Sequence, residues 1–181
     1  MQLIETAIAD VKVIEPKIFG DARGFFYESF NEKRLAAVAG VTERFVQDNH
    51  SKSSRGVLRG LHYQLQHAQG KLVRVVAGEV LDVAVDIRKG SPTFGRHVSQ
   101  RLSADNKLMM WVPAGFAHGF VVLSETAEFL YKTTDYWYPE HERSIAWNDP
   151  DLAIDWQFEG VPALSAKDQA ATPFALAEVY P

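Results

Sequence analysis

Short runs in which apolar and polar residues alternate dominate the chain, and turn-forming residues punctuate them. The clearest run is Val83-Ala84-Val85-Asp86-Ile87-Arg88. On a strand, Val83, Val85 and Ile87 share one face and Asp86 and Arg88 the other. Further β-rich runs cover Leu72 to Val76, Leu108 to Val112, Phe120 to Leu123 and Phe129 to Thr134. Between them fall Phe19-Gly20-Asp21, Gly56, Gly70, Ala77-Gly78-Glu79, Lys89-Gly90-Ser91-Pro92, Pro113-Ala114-Gly115 and Asn148-Asp149-Pro150. Many short strands at this spacing predict an all-β fold, an antiparallel sandwich or barrel of the jelly-roll kind. Helical signals are few and peripheral. Glu32 to Ala39 has a cap residue before it, Asn31, and a glycine stop after it, Gly40. Ser165 to Ala171 reads as a short capped helix. No internal repeat, low-complexity tract or linker interrupts the pattern, so residues 1–181 are expected to form a single domain.

Composition narrows the function classes. The chain has 181 residues, 46% of them hydrophobic and 23% charged, as in an ordinary soluble domain with a sizeable core. A net charge of −4 with dispersed basic residues argues against nucleic acid as a partner. No apolar run reaches the length of a membrane span, and the start lacks a basic segment leading into an apolar one. Neither a signal peptide nor a membrane partner is therefore expected. The absence of cysteine excludes disulfides and thiolate metal sites and suits a reducing cytoplasm.

The candidate chemistry starts at Gly56-Val57-Leu58-Arg59-Gly60-Leu61-His62-Tyr63-Gln64, followed by Gly70-Lys71. Cationic and polar groups lie here along apolar β-structure, and burying them unpartnered is unfavourable. They either face water or line a cavity. A lone strand histidine such as His62 is most often exposed or satisfied in the core. Lys71 read alone is a solvated strand-end lysine; in a cavity its ammonium would stabilise an oxyanion. Tyr131 is a core aromatic or a general acid. Asp168 fits the Ser165-x-x-Asp168 cap spacing and equally a carboxylate that orients a histidine; its two oxygens allow both. Regular alternation puts Gly60, His62 and Gln64 on one face and Arg59, Leu61 and Tyr63 on the other. A bulge at Gly60 would bring Arg59 and His62 together. A metal is not expected: His50, His62, His67, His97, His118 and His141 form no H-x-H pair, and Gln64 stands where a second ligand would be needed. Asp21 to Glu28 and Gln47 to His50 combine arginine, amides and carboxylates, as loop decoration or as a nucleotide pocket without a phosphate-cradling glycine loop.

Taken in order, these segments resemble the dTDP-4-dehydrorhamnose 3,5-epimerases of deoxysugar nucleotide metabolism. The matching stretches are Phe19 to Phe26, Val46 to Ser51, Gly56 to Gln64, Gln69 to Arg74 and Ser91 to Gly95. They continue through Pro113 to Phe120, Leu130 to Thr134 and Pro139 to Arg143, covering about residues 14–170. The resemblance implies a cupin-type double-sheet jelly roll, a homodimer, a dTDP-4-keto-6-deoxy sugar as substrate, and catalysis with no cofactor and no metal. It implies His62 as base, Tyr131 as acid, Asp168 as the histidine's partner and Lys71 as a cation near the sugar ketone. Arg23, Glu28, Gln47, Asp48, Asn49, Arg59, His118, Glu142 and Lys167 fall on substrate-contacting positions. Trp137 falls where the family stacks an aromatic ring on thymine, commonly a tyrosine.

The implied reaction inverts carbons 3 and 5 of dTDP-4-dehydro-6-deoxy-D-glucose through an enolate, giving dTDP-4-dehydro-L-rhamnose with no net redox change. Three alternatives compete with it. One is an epimerase that inverts a single centre of a related dTDP-4-keto sugar. The second is a metal-dependent cupin, disfavoured by the missing H-x-H pair. The third is a sugar-nucleotide-binding module, which would not need His62, Lys71, Tyr131 and Asp168 together.

Overall fold

A computed structural model describes all 181 residues. In chain order its elements are β1 (Gln2–Ile4), β2 (Lys12–Glu15), β3 (Phe19–Asp21), β4 (Gly24–Phe26), α1 (Glu32–Ala39), β5 (Gln47–Ser54), β6 (Leu58–Gln64), β7 (Lys71–Ala77) and β8 (Glu79–Asp86). There follow β9 (His97–Ser103), β10 (Met109–Val112), β11 (Phe116–Val122), β12 (Thr126–Thr133), β13 (Glu142–Ser144) and α2 (Ala166–Gln169). One sheet has the order β1-β2-β10-β7-β12-β5, the other β13-β6-β11-β8-β9, and β3-β4 form a separate hairpin. The strand pairs within the sheets are antiparallel. The two large sheets face each other as a double-sheet jelly roll of the cupin-like kind expected from the sequence.

Alternation explains the layers. Val73 and Val75 of β7 and Phe129 of β12 point inward from one sheet, and Val80, Ala84, Phe116, Phe120 and Val122 meet them from the other. The opposite face of the five-stranded sheet is buried too. Leu81, Val83, Val85 and Ile87 pack there against Ile145, Leu152 and Trp156 of the C-terminal segment. With both faces covered, Val80 through Asp86 are all buried, including Asp82 and Asp86 at 0% exposure. Asp86 is satisfied by Arg88, Ser91 and Thr93, whose hydrogen bonds hold its carboxyl far below the usual carboxylate range despite burial. The other sheet's outer face is covered by α1 through Leu35 and Ala39, against Ile14, Leu72, Met109 and Trp111.

Both predicted helices form. Asn31 caps α1 by accepting from the Arg34 N–H, and Gly40 ends it in the left-handed region at φ 66°. The second helix is shorter than expected, since its bonds run out at Ala170. β5 (Gln-Asp-Asn-His-Ser-Lys-Ser-Ser) carries no apolar residue, so no alternation predicts it; it lies at a sheet edge. No helix is long and apolar enough to cross a membrane.

Between β6 and β11 the register shifts. His118 pairs with His62, but Phe120 pairs with Arg59, so Gly60 and Leu61 together oppose Gly119. That extra residue is a β-bulge. Gly60 has φ 125°, and a Cβ on it would lie 2.5 Å from the Gly119 Cα. Only glycine allows this approach. The bulge corrects the regular alternation: Leu58 and Leu61 both join the outer cluster, while Arg59 and His62 both turn to the interior.

Candidate active site

The inward turn of Arg59 and His62 opens a cavity of about 140 Å³ between the sheets. From the β6–β11 wall it is lined by Arg59, His62, His118, Gly119 and Phe120, and from the facing wall by Ser51, Lys71, Phe129 and Tyr131. His62 and Tyr131 therefore enter from opposite sheets.

His62 is anchored from behind. Its Nε2 lies 2.5 Å from Asp168 Oδ1, and Asp168 Oδ2 accepts from Ser165 Oγ at 2.9 Å. Ser165 Oγ in turn accepts from the Asp168 N–H, so the residue that caps α2 also steadies the carboxylate. Asp168 thus sits in the cap of α2 and bonds a histidine at the same time. Burial pushes His62 below the ordinary imidazole value, against the opposing pull of Asp168. Burial alone would raise Asp168, but the His62 and Ser165 bonds outweigh it and hold the carboxyl below its usual value. With Nε2 committed to a carboxylate, Nδ1 is the nitrogen left with a free lone pair.

Lys71 is 8% exposed, and its nearest polar contact is the His62 carbonyl oxygen at 3.5 Å. Burial lowers it to about 8, with Glu142 and Asp82 resisting the fall. Burial raises the Tyr131 phenol, helped by the charge of Glu142 and opposed by Arg59. Arg59 lines the cavity while remaining open to solvent, and donates from Nε to Ser53 Oγ at 3.1 Å. His118 is buried and bonds Asp82 through Nε2, at 2.9 and 3.0 Å from the two carboxylate oxygens.

A polar rim surrounds the mouth. Glu142 pairs with Lys167 at 2.6 Å and accepts from the Trp137 indole at 3.3 Å. Burial raises the Glu142 carboxyl, but Lys167 and His62 bring it below its usual value. Gln47 accepts from the Trp137 N–H and donates to Asn49, and the Trp137 ring is 55% exposed. Three expected residues are not brought to this cavity within one chain. Arg23 lies on the exposed β3–β4 hairpin paired with Asp21; Glu28 pairs with Arg34; Asp48 pairs with Lys132 on the opposite face of β5 from Asn49. Two supporting groups escaped the sequence reading. Ser51 lines the cavity and Asp82 holds His118, and a carboxylate inside the apolar run of β8 was the available signal for the second. No group of three or more His, Cys, Asp or Glu side chains is arranged to hold a metal ion.

A family model described as dTDP-4-dehydrorhamnose 3,5-epimerase matches residues 5–175. The chain belongs to this epimerase family. It is thus an isomerase by class. Among its relatives, the dTDP-4-dehydrorhamnose 3,5-epimerase of Pseudomonas aeruginosa is 62% identical over 181 residues, covering 100% of both chains. Among solved structures, a dTDP-6-deoxy-D-glucose-3,5-epimerase from Legionella pneumophila in complex with dTDP-4-keto-L-rhamnose superposes with a TM-score of 0.96 at 60% identity, covering 98% of this chain and 94% of that one. A 3'-monoepimerase from Streptomyces bikiniensis in complex with dTDP-quinovose reaches a TM-score of 0.89 at 34% identity, covering 97% of this chain and 88% of that one. The fold of this epimerase family is thus shared by enzymes named for inverting two centres and for inverting one.

Proposed function

We propose that the protein inverts carbons 3 and 5 of dTDP-4-dehydro-6-deoxy-D-glucose, with His62 as base and Tyr131 as acid. The observation that carries this reading is one cavity flanked by a carboxylate-backed imidazole on one sheet and a phenol on the other. A ketone at sugar carbon 4 acidifies the hydrogens on carbons 3 and 5, because the carbanion left behind is an enolate. His62 Nδ1 takes such a proton, and the C–H electron pair moves into the carbon–carbon bond while the carbonyl electrons move to oxygen. Burial keeps the imidazole neutral before the step, and Asp168 stabilises the imidazolium after it. Lys71, cationic at pH 7 with a value of about 8, offsets the enolate charge. Tyr131, kept protonated by burial, returns a proton to carbon from the other side and regains its own from solvent, while the His62 imidazolium gives up the proton it took to solvent and is neutral again. A second round at the other carbon completes the product. Oxidation states are unchanged throughout, so the chemistry calls for no hydride carrier.

The substrate assignment draws on the family and on the relative bound to dTDP-4-keto-L-rhamnose. Trp137, exposed at the rim, offers the flat face on which thymine would stack, with Gln47, Asn49, Glu142 and Lys167 around it. Arg59 and His118 line the passage inward. Arg23, Glu28 and Asp48 would contact substrate only across a homodimer, and the hairpin beside Arg23 exposes Phe19, Phe25 and Phe26. The test is solvent deuterium exchange on the substrate. Wild type should exchange at both carbons and His62→Asn at neither. Exchange persisting in His62→Asn would remove His62 as base, and wild-type exchange at one carbon would favour a single-centre epimerase.

A further inference from the structure

Gln64 takes no part in the chemistry above, yet its carboxamide is buried and committed on both ends. Its Oε1 accepts from the Tyr138 N–H at 2.7 Å, and its Nε2 donates to the Tyr136 carbonyl at 3.1 Å and the His67 carbonyl at 2.7 Å. The first two partners are the backbone groups immediately before and after Trp137. Residues 136–138 belong to no helix or strand, so no ladder fixes them. Besides Gln64, Trp137 is held by its own N–H to Gln47 Oε1 at 3.2 Å and its indole to Glu142 Oε2 at 3.3 Å, both weaker contacts on exposed atoms. The strongest constraint on the platform therefore comes from β6, two residues beyond His62.

We infer that Gln64 is a positioning residue for the nucleotide subsite. Its amide grips the backbone on either side of Trp137 and presents the indole at a fixed height to a thymidine nucleotide. This rests on the reading of Trp137 as the surface that stacks the base. A platform ordered before the ligand arrives binds more tightly, because ordering the loop no longer opposes association. Losing the clamp should then weaken nucleotide binding and leave proton transfer at His62 largely alone. The same position explains an oddity of the sequence: where a metal-binding cupin needs a second ligand, this chain uses a residue with both a donor and an acceptor end, and both ends are used.

The experiment compares Gln64→Leu, Trp137→Ala and the double variant, reading dTDP affinity by calorimetry and kcat and KM by turnover. Gln64→Leu is expected to weaken dTDP and raise KM about tenfold with kcat within a factor of two or three. The double variant should be no worse than Trp137→Ala alone, because the two act as one unit. Gln64→Glu supplies a second readout should Gln64→Leu fail to fold. A carboxylate keeps the Tyr138 acceptor but repels two carbonyls, whereas its protonated form restores one donor. Its dTDP affinity should recover as pH falls, relative to wild type, in which the neighbouring His67 and His141 are also present. Additive losses, wild-type dTDP affinity in Gln64→Leu, or a Gln64→Glu profile parallel to wild type would overturn the clamp. Unchanged dTDP affinity in Trp137→Ala would instead remove the stacking platform, and the inference with it.

Discussion

His62 and His118 face each other as direct partners across β6 and β11, and each bonds a carboxylate, but the two pairs are built differently. His118–Asp82 is closed. Both residues sit on neighbouring strands of one ladder, their side chains are 8% and 0% exposed, and one ring nitrogen serves both carboxylate oxygens. His62–Asp168 is open. The imidazole keeps 25% exposure and a free nitrogen toward the cavity, and its carboxylate arrives from a four-residue helix far along the chain. A pair fixed by a sheet cannot change without disturbing the core, whereas a pair completed by a peripheral helix tunes a base and leaves the ladder intact. The proposed mechanism assigns the chemistry to the open pair and leaves rigidity to the closed one.

The largest expected effect separates them directly. Asp168→Asn keeps the Ser165 bond and the cap but no longer fixes the imidazole tautomer or stabilises its charge, so kcat/KM should fall roughly a thousandfold or more. Asp82→Asn should lose far less activity but cost about 1–3 kcal/mol of stability, since it leaves a buried ring mispaired. Steady-state kinetics and thermal unfolding of both variants decide. If Asp82→Asn is the more damaged catalyst, or Asp168→Asn the less stable protein, the division of labour is wrong.

The closed pair was also the harder one to read from sequence. Alternation gave β7, β8 and most of β12, and the glycine between Arg59 and His62 marked the bulge that reconciles their parity. The cap spacing Ser165-x-x-Asp168 was visible, but a carboxylate reaching His62 across 106 positions has no local signature and came only from the family resemblance. β5 was illegible as a strand because apolar alternation needs a buried apolar face, and its inward side faces the polar cavity instead. Asp82 is inconspicuous for the opposite reason, set in an apolar run that hides the cost of burying it.

Lys71 lies within the fields of both pairs and bonds no side chain of either, which makes it the next test. Its value of about 8 means that folding disfavours the ammonium. The cost is fully present below pH 8, where both folded and unfolded forms are charged, and vanishes as pH rises to the ordinary lysine value of 10.5. Lys71→Met should therefore stabilise the protein at pH 7 by on the order of 2 kcal/mol, while kcat drops about a hundredfold. Chemical denaturation against pH checks the sign: wild-type stability should gain on Lys71→Met between pH 8 and 10.5. A destabilised Lys71→Met would mean that the ammonium is satisfied at rest and is not held ready for an enolate.

The smallest effect is the most discriminating, because it asks whether the closed pair reaches the chemistry at all. On the proposed mechanism activity needs His62 neutral and Lys71 charged, so the pH profile should rise through the depressed histidine value and fall near 8 as the ammonium loses its proton. Asp82 helps to hold the Lys71 proton, whereas Asp168 and the cations Lys167 and Lys71 are what act on His62 besides burial. Asp82→Asn should then move only the alkaline limb, and toward lower pH, because removing a nearby negative charge makes the ammonium easier to deprotonate. Measuring kcat against pH in both proteins shows which limb moves. An acidic limb that shifts with it would mean that the two histidine–carboxylate pairs are one coupled system rather than a base and its scaffold.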